Sequence, residues 1–230
     1  MKNIAVVVIF IFSSLNSKAQ ARKIELGIRA GINLGSLYGL GTDFTYFNQN
    51  KKDFFGGVVG LQFRYRLSPR YALKTFIQLE QNAIFLHDIT VQDPSSYEYK
   101  QGDKIYKQSY INMPILFERS FGNRVTFNFN GGLFLGVLVK DVLVTKVKQQ
   151  FISFGQQPTN ETFEAKKNNH KLFNLGLSFG TGVLLPVTKK IFVSINIQDN
   201  LGLMNIAKDY PNNSLGTNSI SLMTGLVFPL

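Results

Sequence analysis

The sequence has no cysteine and no tryptophan, and only two histidines and seven prolines in 230 residues. Without cysteine there is no disulfide framework, no thiolate metal site and no lipid-attachment thiol. Two histidines with no compact acidic cluster beside them do not make a metal site. Acidic residues are also scarce, 14 against 25 lysines and arginines, for a formal charge of +11. A nucleic-acid partner would require those cations on one face; they are spread along the chain, so nucleic acid is not expected. Beyond the first residues there is no long apolar run, which excludes a helical membrane protein but not a strand-built one, whose apolar face is hidden in alternation. Glycines fall at alternate positions of strand-like segments rather than in a phosphate-cradling loop, so no cofactor is expected.

The N-terminus has a short basic start, Met1-Lys2-Asn3, an apolar run over 4–12 and a small, polar stretch ending in Ser17-Lys18-Ala19. This is the pattern of a secretory signal peptide, 1–19, leaving one domain over 20–230. The apolar run is about half the roughly 20 residues a spanning helix requires. Loss of Lys2 and Lys18 with the signal leaves 23 basic residues against 14 acidic ones. In an exported protein that surplus points toward anionic head groups or solutes.

Residues 55–85 carry the clearest pattern. Phe55, Val59, Leu61, Phe63, Tyr65 and Leu67 share one face, with Gly56, Val58, Gly60, Gln62, Arg64 and Arg66 opposite. After the turn Ser68-Pro69-Arg70, Tyr71, Leu73, Thr75, Ile77, Leu79, Ala83 and Phe85 alternate with Lys74, Gln78, Glu80 and Asn82. Period-2 alternation on both sides of a tight turn predicts a long β-hairpin. Its arms are about twice the usual strand length and long enough to cross a bilayer when tilted.

The same period recurs at 24–34, 104–119, 125–140, 173–185, 191–203 and 218–230, giving eight strands. Connections at 36–53, 87–103, 141–169 and 206–217 are long and polar, whereas 68–70, 121–124 and 186–190 are tight turns; 142–147 keeps enough alternation to extend its hairpin. Pro114, which cannot donate to a ladder, predicts a bulge in the fourth strand. An even number of strands with alternating short and long connections predicts an eight-stranded antiparallel up-and-down transmembrane β-barrel, integral to an outer membrane, with both termini periplasmic. A lipocalin-like barrel with its apolar residues inside is the competing arrangement. The near absence of charge on the apolar face, the Gly, Asn, Ser and Gln on the other, and a chain that closes on a strand favour lipid outside.

Four segments carry a family likeness: Gly27-Ile28-Arg29-Ala30-Gly31-Ile32-Asn33, Tyr110-Ile111-Asn112-Met113-Pro114-Ile115, Asn130-Gly131-Gly132-Leu133-Phe134-Leu135-Gly136 and Asn200-Leu201-Gly202-Leu203-Met204-Asn205-Ile206. In order and spacing the chain resembles the PorT-like outer-membrane β-barrel proteins of Bacteroidetes, small barrels of the OmpA/OmpX-like kind. The last strand resembles a barrel-assembly signal in Gly225, Phe228 and Leu230. The resemblance implies a small outer-membrane barrel and contact with the assembly machinery, and it implies no activity.

The inner face is expected to hold Glu25, Arg29, Arg64, Arg66, Lys74, Glu80 and Glu118. An eight-stranded barrel is just wide enough for side chains to fill, and buried charges must pair. A rigidifying network is therefore expected, with Arg64, Arg66, Lys74 and Glu118 near the short-turn end. A gated, anion-preferring path lined by the surplus cations is the alternative, and it requires an open pore. For catalysis the sequence offers His87 and His170 at outer strand ends, with Asp88 and Ser109 as companions, but no spacing motif supports a triad. The sequons Asn160-Glu161-Thr162 and Asn212-Asn213-Ser214 are of the sort that Asn-rich loops produce by chance. The leading expectation is a non-enzymatic binding or envelope-complex barrel, acting through its outer loops and surrounded by membrane lipid and lipopolysaccharide. A narrow solute channel and a lipid-modifying enzyme are the alternatives.

Overall fold

A computed structural model describes residues 23–40, 51–92, 99–148, 160–166, 170–206 and 214–230. Among the described residues there are nine strands: β1 (Ile24–Leu40), β2 (Lys51–Arg66), β3 (Tyr71–Gln92), β4 (Tyr99–Phe121), β5 (Thr126–Lys148), β6 (Asn160–Lys166), β7 (Phe173–Pro186), β8 (Phe192–Gly202) and β9 (Ser214–Pro229). They lie in the order β4-β3-β2-β1-β9-β8-β7-β5-β6, and β4 also pairs with β5. That last pairing closes an antiparallel barrel of eight strands. The ninth, β6, lies outside it, paired with the extension of β5 from Val142 to Lys148.

Why the ring closes is visible in the pleat. The strands turn their alternating apolar face outward: Phe55, Leu61 and Ile115 are 66%, 61% and 67% exposed, whereas Gln78 and Glu80 on the other face are fully buried. The lipocalin-like arrangement, apolar inside, is thereby excluded. Strands β1 and β9 join over 16 residue pairs, from Glu25↔Pro229 to Leu40↔Ser214, so no long edge is left in the wall.

The three tight turns, at 67–70, 122–125 and 187–190, lie at one end, which we call the turn end. Gly122 has φ 95°, a left-handed conformation that suits a residue without Cβ, and an added Cβ would meet the Val125 carbonyl oxygen at 2.2 Å. At the opposite, outer end the strands run further than alternation suggests. Residues 36–40 and 51–53, read as loop, continue β1 and β2, and most of 87–103 belongs to β3 and β4. The backbone ladder continues there although the sequence no longer alternates cleanly. At about 3.3 Å per residue the 23-residue β4 and β5 run roughly 75 Å, so β3, β4 and β5 rise above the wall while β8, with 11 residues, stays low.

Two local expectations are corrected. Pro114 causes no bulge: the β3–β4 register is the same on both sides of it, Thr75↔Ile115 and Gln78↔Asn112, with the two pairs between them missing. The lost donor interrupts the ladder without shifting it. The irregularity on β4 is at Ser109/Tyr110 against β5, where Val139 is the extra residue. That insertion reverses the pleat of β5, so Lys140, which unbroken alternation from Phe127 would put on the inner face, is exposed and Asp141 is buried. The signal peptide over 1–19 lies outside the described residues.

Candidate functional site: the filled lumen and its outer mouth

The lumen is built in tiers. At the turn end, β2 holds Arg64 directly opposite Glu25 on β1 and Lys74 on β3. Arg64 Nη1 donates to Glu25 Oε2 at 2.9 Å, Nε to Glu118 Oε1 at 2.7 Å and Nη2 to the Ser120 hydroxyl at 3.1 Å. Lys74 Nζ lies 3.2 Å from Glu118 Oε2 and donates to Asn196 Oδ1 at 3.3 Å. Arg66 pairs with the second oxygen of Glu25, but it sits at the mouth with 39% of its side chain exposed. Two carboxylates thus serve three cations, two of which are buried. In a low-dielectric interior the attraction offsets desolvation only where hydrogen bonds accompany it, as the three made by Arg64 do.

Arg29, one tier up, is held differently. Its guanidinium stacks over the Phe76 ring, 3.7 Å from the centroid, and donates to Gln198 Oε1 at 3.0 Å and to the Met223 sulfur. Above it Glu80 is a hub: Oε2 accepts from Asn112 at 2.6 Å, Gln78 at 3.3 Å and Asn200 at 3.4 Å, and Oε1 from Asn33 at 3.3 Å. The seven expected charged residues therefore occupy two places: six reach the inner face of the wall, and Arg66 stands at its mouth.

Sequence reading missed the apolar part of the filling. Phe76, Leu116, Phe134 and Tyr110 all point inward and are almost fully buried. The signal was available, since each has the parity of its polar neighbours. Gly176 shows how such bulk is accommodated: a Cβ there would lie 2.6 Å from the Phe134 ring and 2.0 Å from the Leu201 carbonyl oxygen. Tiers of ion pairs, amides and rings leave the lumen occupied by side chains.

At the outer mouth, Asn174 Nδ2 donates to Thr217 Oγ1 at 2.7 Å, and Leu37 and Ile206 form a small apolar cap with Tyr106 and Leu215. Here too His170 Nδ1 lies 2.8 Å from Asp141 Oδ2, both side chains buried. A histidine oriented by a carboxylate is two-thirds of a hydrolytic arrangement. Ser109, the nucleophile considered from sequence, is buried on β4 opposite Lys140, and no hydrogen bond joins it to His170 among the described residues. His87 and Asp88 fall at the β3 irregularity between Leu86 and Ile89, and their side chains lie outside the described part. Among the described residues no group of three His, Cys, Asp or Glu is placed to hold a metal ion.

The proposed assembly residues lie where β9 meets β1: Gly225 opposite Arg29, Phe228 opposite Leu26 with its ring outward, and Leu230 donating its N–H to the Ile24 carbonyl at 2.9 Å.

The outward apolar belt around a closed, polar-filled ring is matched by one family model, the outer membrane protein beta-barrel domain, over residues 12–208. The chain belongs to this family. Outer membrane β-barrel proteins are integral to that membrane, which accounts for the exposed phenylalanines, leucines and isoleucines as lipid contacts. Comparison with curated proteins finds no match. Among solved structures the chain is similar to Neisserial surface protein A (12% identity, 90% of this chain and 97% of that one, TM-score 0.48). It is also similar to the outer membrane protein OprG from Pseudomonas aeruginosa (8%, 90% and 97%, 0.45). A third is Ail, the attachment invasion locus protein of Yersinia pestis (12%, 90% and 99%, 0.40).

Proposed function

We propose that this outer membrane β-barrel is a non-enzymatic binding protein, a rigid anchor that presents its outer loops and the raised β3–β6 sheet to a partner. The observation that carries this reading is the filled lumen. A wall whose interior is saturated by Glu80, Arg64, Glu118, Phe76 and their neighbours is organised for stiffness, and the passive-channel alternative requires an open path. In this reading the turn end faces the periplasm and the long connections face outward, with lipopolysaccharide and phospholipid around the belt. The finer likeness to PorT-like barrels of Bacteroidetes extends the proposal to membership of an envelope complex, with protein secretion as its context and the assembly machinery as the partner of β9.

The test is affinity capture of the native barrel from its own envelope, with partners identified by mass spectrometry. A stoichiometric envelope protein that is lost when residues 149–159 are deleted, with the barrel still folded, is the expected result. A barrel recovered alone, together with resolvable conductance in planar bilayers, would overturn it. The His170–Asp141 pair supplies the one observation for an enzyme; His170→Ala and Asp141→Ala are expected to leave partner capture intact.

A further inference from the structure

The three tight turns and the strand ends beside them contain Lys23, Arg66, Arg70, Arg119, Arg124, Lys189 and Lys190. Among the described residues the acidic side chains near that end, Glu25 and Glu118, are buried and bound to Arg64, Arg66 and Lys74. This end of the barrel also has a hollow. A cavity of about 1010 Å³ opens there, bounded by Arg64, Arg66, Arg70 and Arg124, with Phe121 and Phe192 among its apolar walls and no carboxylate in its lining. Arg64 is saturated from within by Glu25, Glu118 and Ser120. The guanidinium groups of Arg70 and Arg124 make no ion pair among the described residues. A second basin of about 510 Å³, containing Lys23 and Lys189, shares Arg66, Pro69 and Phe192 with the first. The two adjoin along those three residues.

We propose that this vestibule receives an acidic polypeptide segment. Guanidinium groups bind carboxylates as planar, two-point partners, and here they stand in a recess rather than on an open surface. The larger basin is at the upper limit of small-molecule pockets, too roomy for one small oxyanion to fill. Its continuation past Arg66 and Phe192 suits an extended chain, whose carboxylates would meet the rim cations while intervening side chains rest on Phe121, Leu184, Pro186 and Phe192. The cationic field of this end, to which Arg70 and Arg124 contribute, would draw such a chain in. The site is at the opposite end from the outer loops, so it is independent of any partner captured there.

The experiment uses the full chain in nanodiscs of zwitterionic lipid and a fluorescently labelled hexaglutamate peptide, followed by anisotropy. Binding is expected, weakening as salt is raised, and the Arg70→Gln/Arg124→Gln double variant is expected to lower affinity about tenfold. Those side chains are on exposed turns, so the variant should keep the heat-modifiable migration of a folded barrel and its outer-loop partner. A double variant that binds like the parent, or a hexalysine peptide that binds equally, would overturn the proposal. So would inorganic pyrophosphate or a short oligonucleotide of equal charge binding as tightly as hexaglutamate, which would make the vestibule a general anion site.

Discussion

Glu80 accepts hydrogen bonds from four amides on β1, β3, β4 and β8 while fully buried. Glu80→Ala would strand those donors at once, and each unmet buried donor costs about 1 to 3 kcal/mol. A loss of roughly 3 kcal/mol is expected after partial relaxation, read as a shifted midpoint of urea unfolding in lipid. Glu80→Gln, which keeps one acceptor oxygen, should lose less. Arg64→Met is a sharper case, because it leaves Glu25 and Glu118 buried and short of their cation. Breaking such a pair costs about 3 to 5 kcal/mol, and adding Glu118→Gln should recover part of it. Parity in the sequence puts both residues on the inner face. It does not show that Arg29, carrying the same charge as Arg64, rests on an aromatic ring and a thioether instead of two carboxylates. That choice depends on which strands β1 faces across the lumen.

Among elements, the outward assignment predicts that a midplane arginine on the lipid face, Leu61→Arg or Leu177→Arg, destabilises the barrel by about 2 to 4 kcal/mol, with less folded species by gel shift after refolding into vesicles. On the inner face bulk decides instead. Gly176→Val would press on both Phe134 and the Leu201 carbonyl; overpacking of this kind costs about 1 to 3 kcal/mol, and pairing it with Phe134→Ala should restore some stability, as a chemical denaturation series would show. Alternation located all eight wall strands. It stopped short at their outer ends, where β3 and β4 continue as a backbone ladder through residues with no sustained apolar period. It also missed β6, seven residues without clean alternation, Asn160–Lys166, that are held as a strand by their pairing with β5. Proline chemistry identified the lost donor at Pro114, but the bulge formed instead at Ser109/Tyr110, where an extra residue in β5 relieves the register.

For the whole molecule, a side-chain-filled barrel predicts no resolvable single-channel conductance in planar bilayers. It also predicts that emptying one tier, as in Phe76→Ala with Phe134→Ala, permits ion leakage if folding survives. The two ends have opposite characters. The outer end is tall, with the β3–β6 sheet standing above a low wall at β7 and β8, and the turn end is short and cationic with a hollow centre. A molecule so divided can engage one partner outside and a different, acidic one at its turns, with the rigid network between them holding the two surfaces in a fixed relation.

Period-2 alternation determined a closed barrel of eight strands, and the near absence of charge on its apolar face favoured lipid outside, which the exposure of Phe55, Leu61 and Ile115 then decided. A period of two has only one apolar side, and closure is the way such a sheet satisfies its edges in lipid. The sequence also put Glu25, Arg29, Arg64, Lys74, Glu80 and Glu118 on the inner face by parity alone. Only the tertiary structure decided which of them meet, since partners such as Arg29 and Gln198 lie 169 residues apart and are joined by ring closure alone. It likewise placed His170 on Asp141 and gathered the turn cations around one hollow: strand order and shear determine which strand ends are neighbours, and neither is written in local alternation.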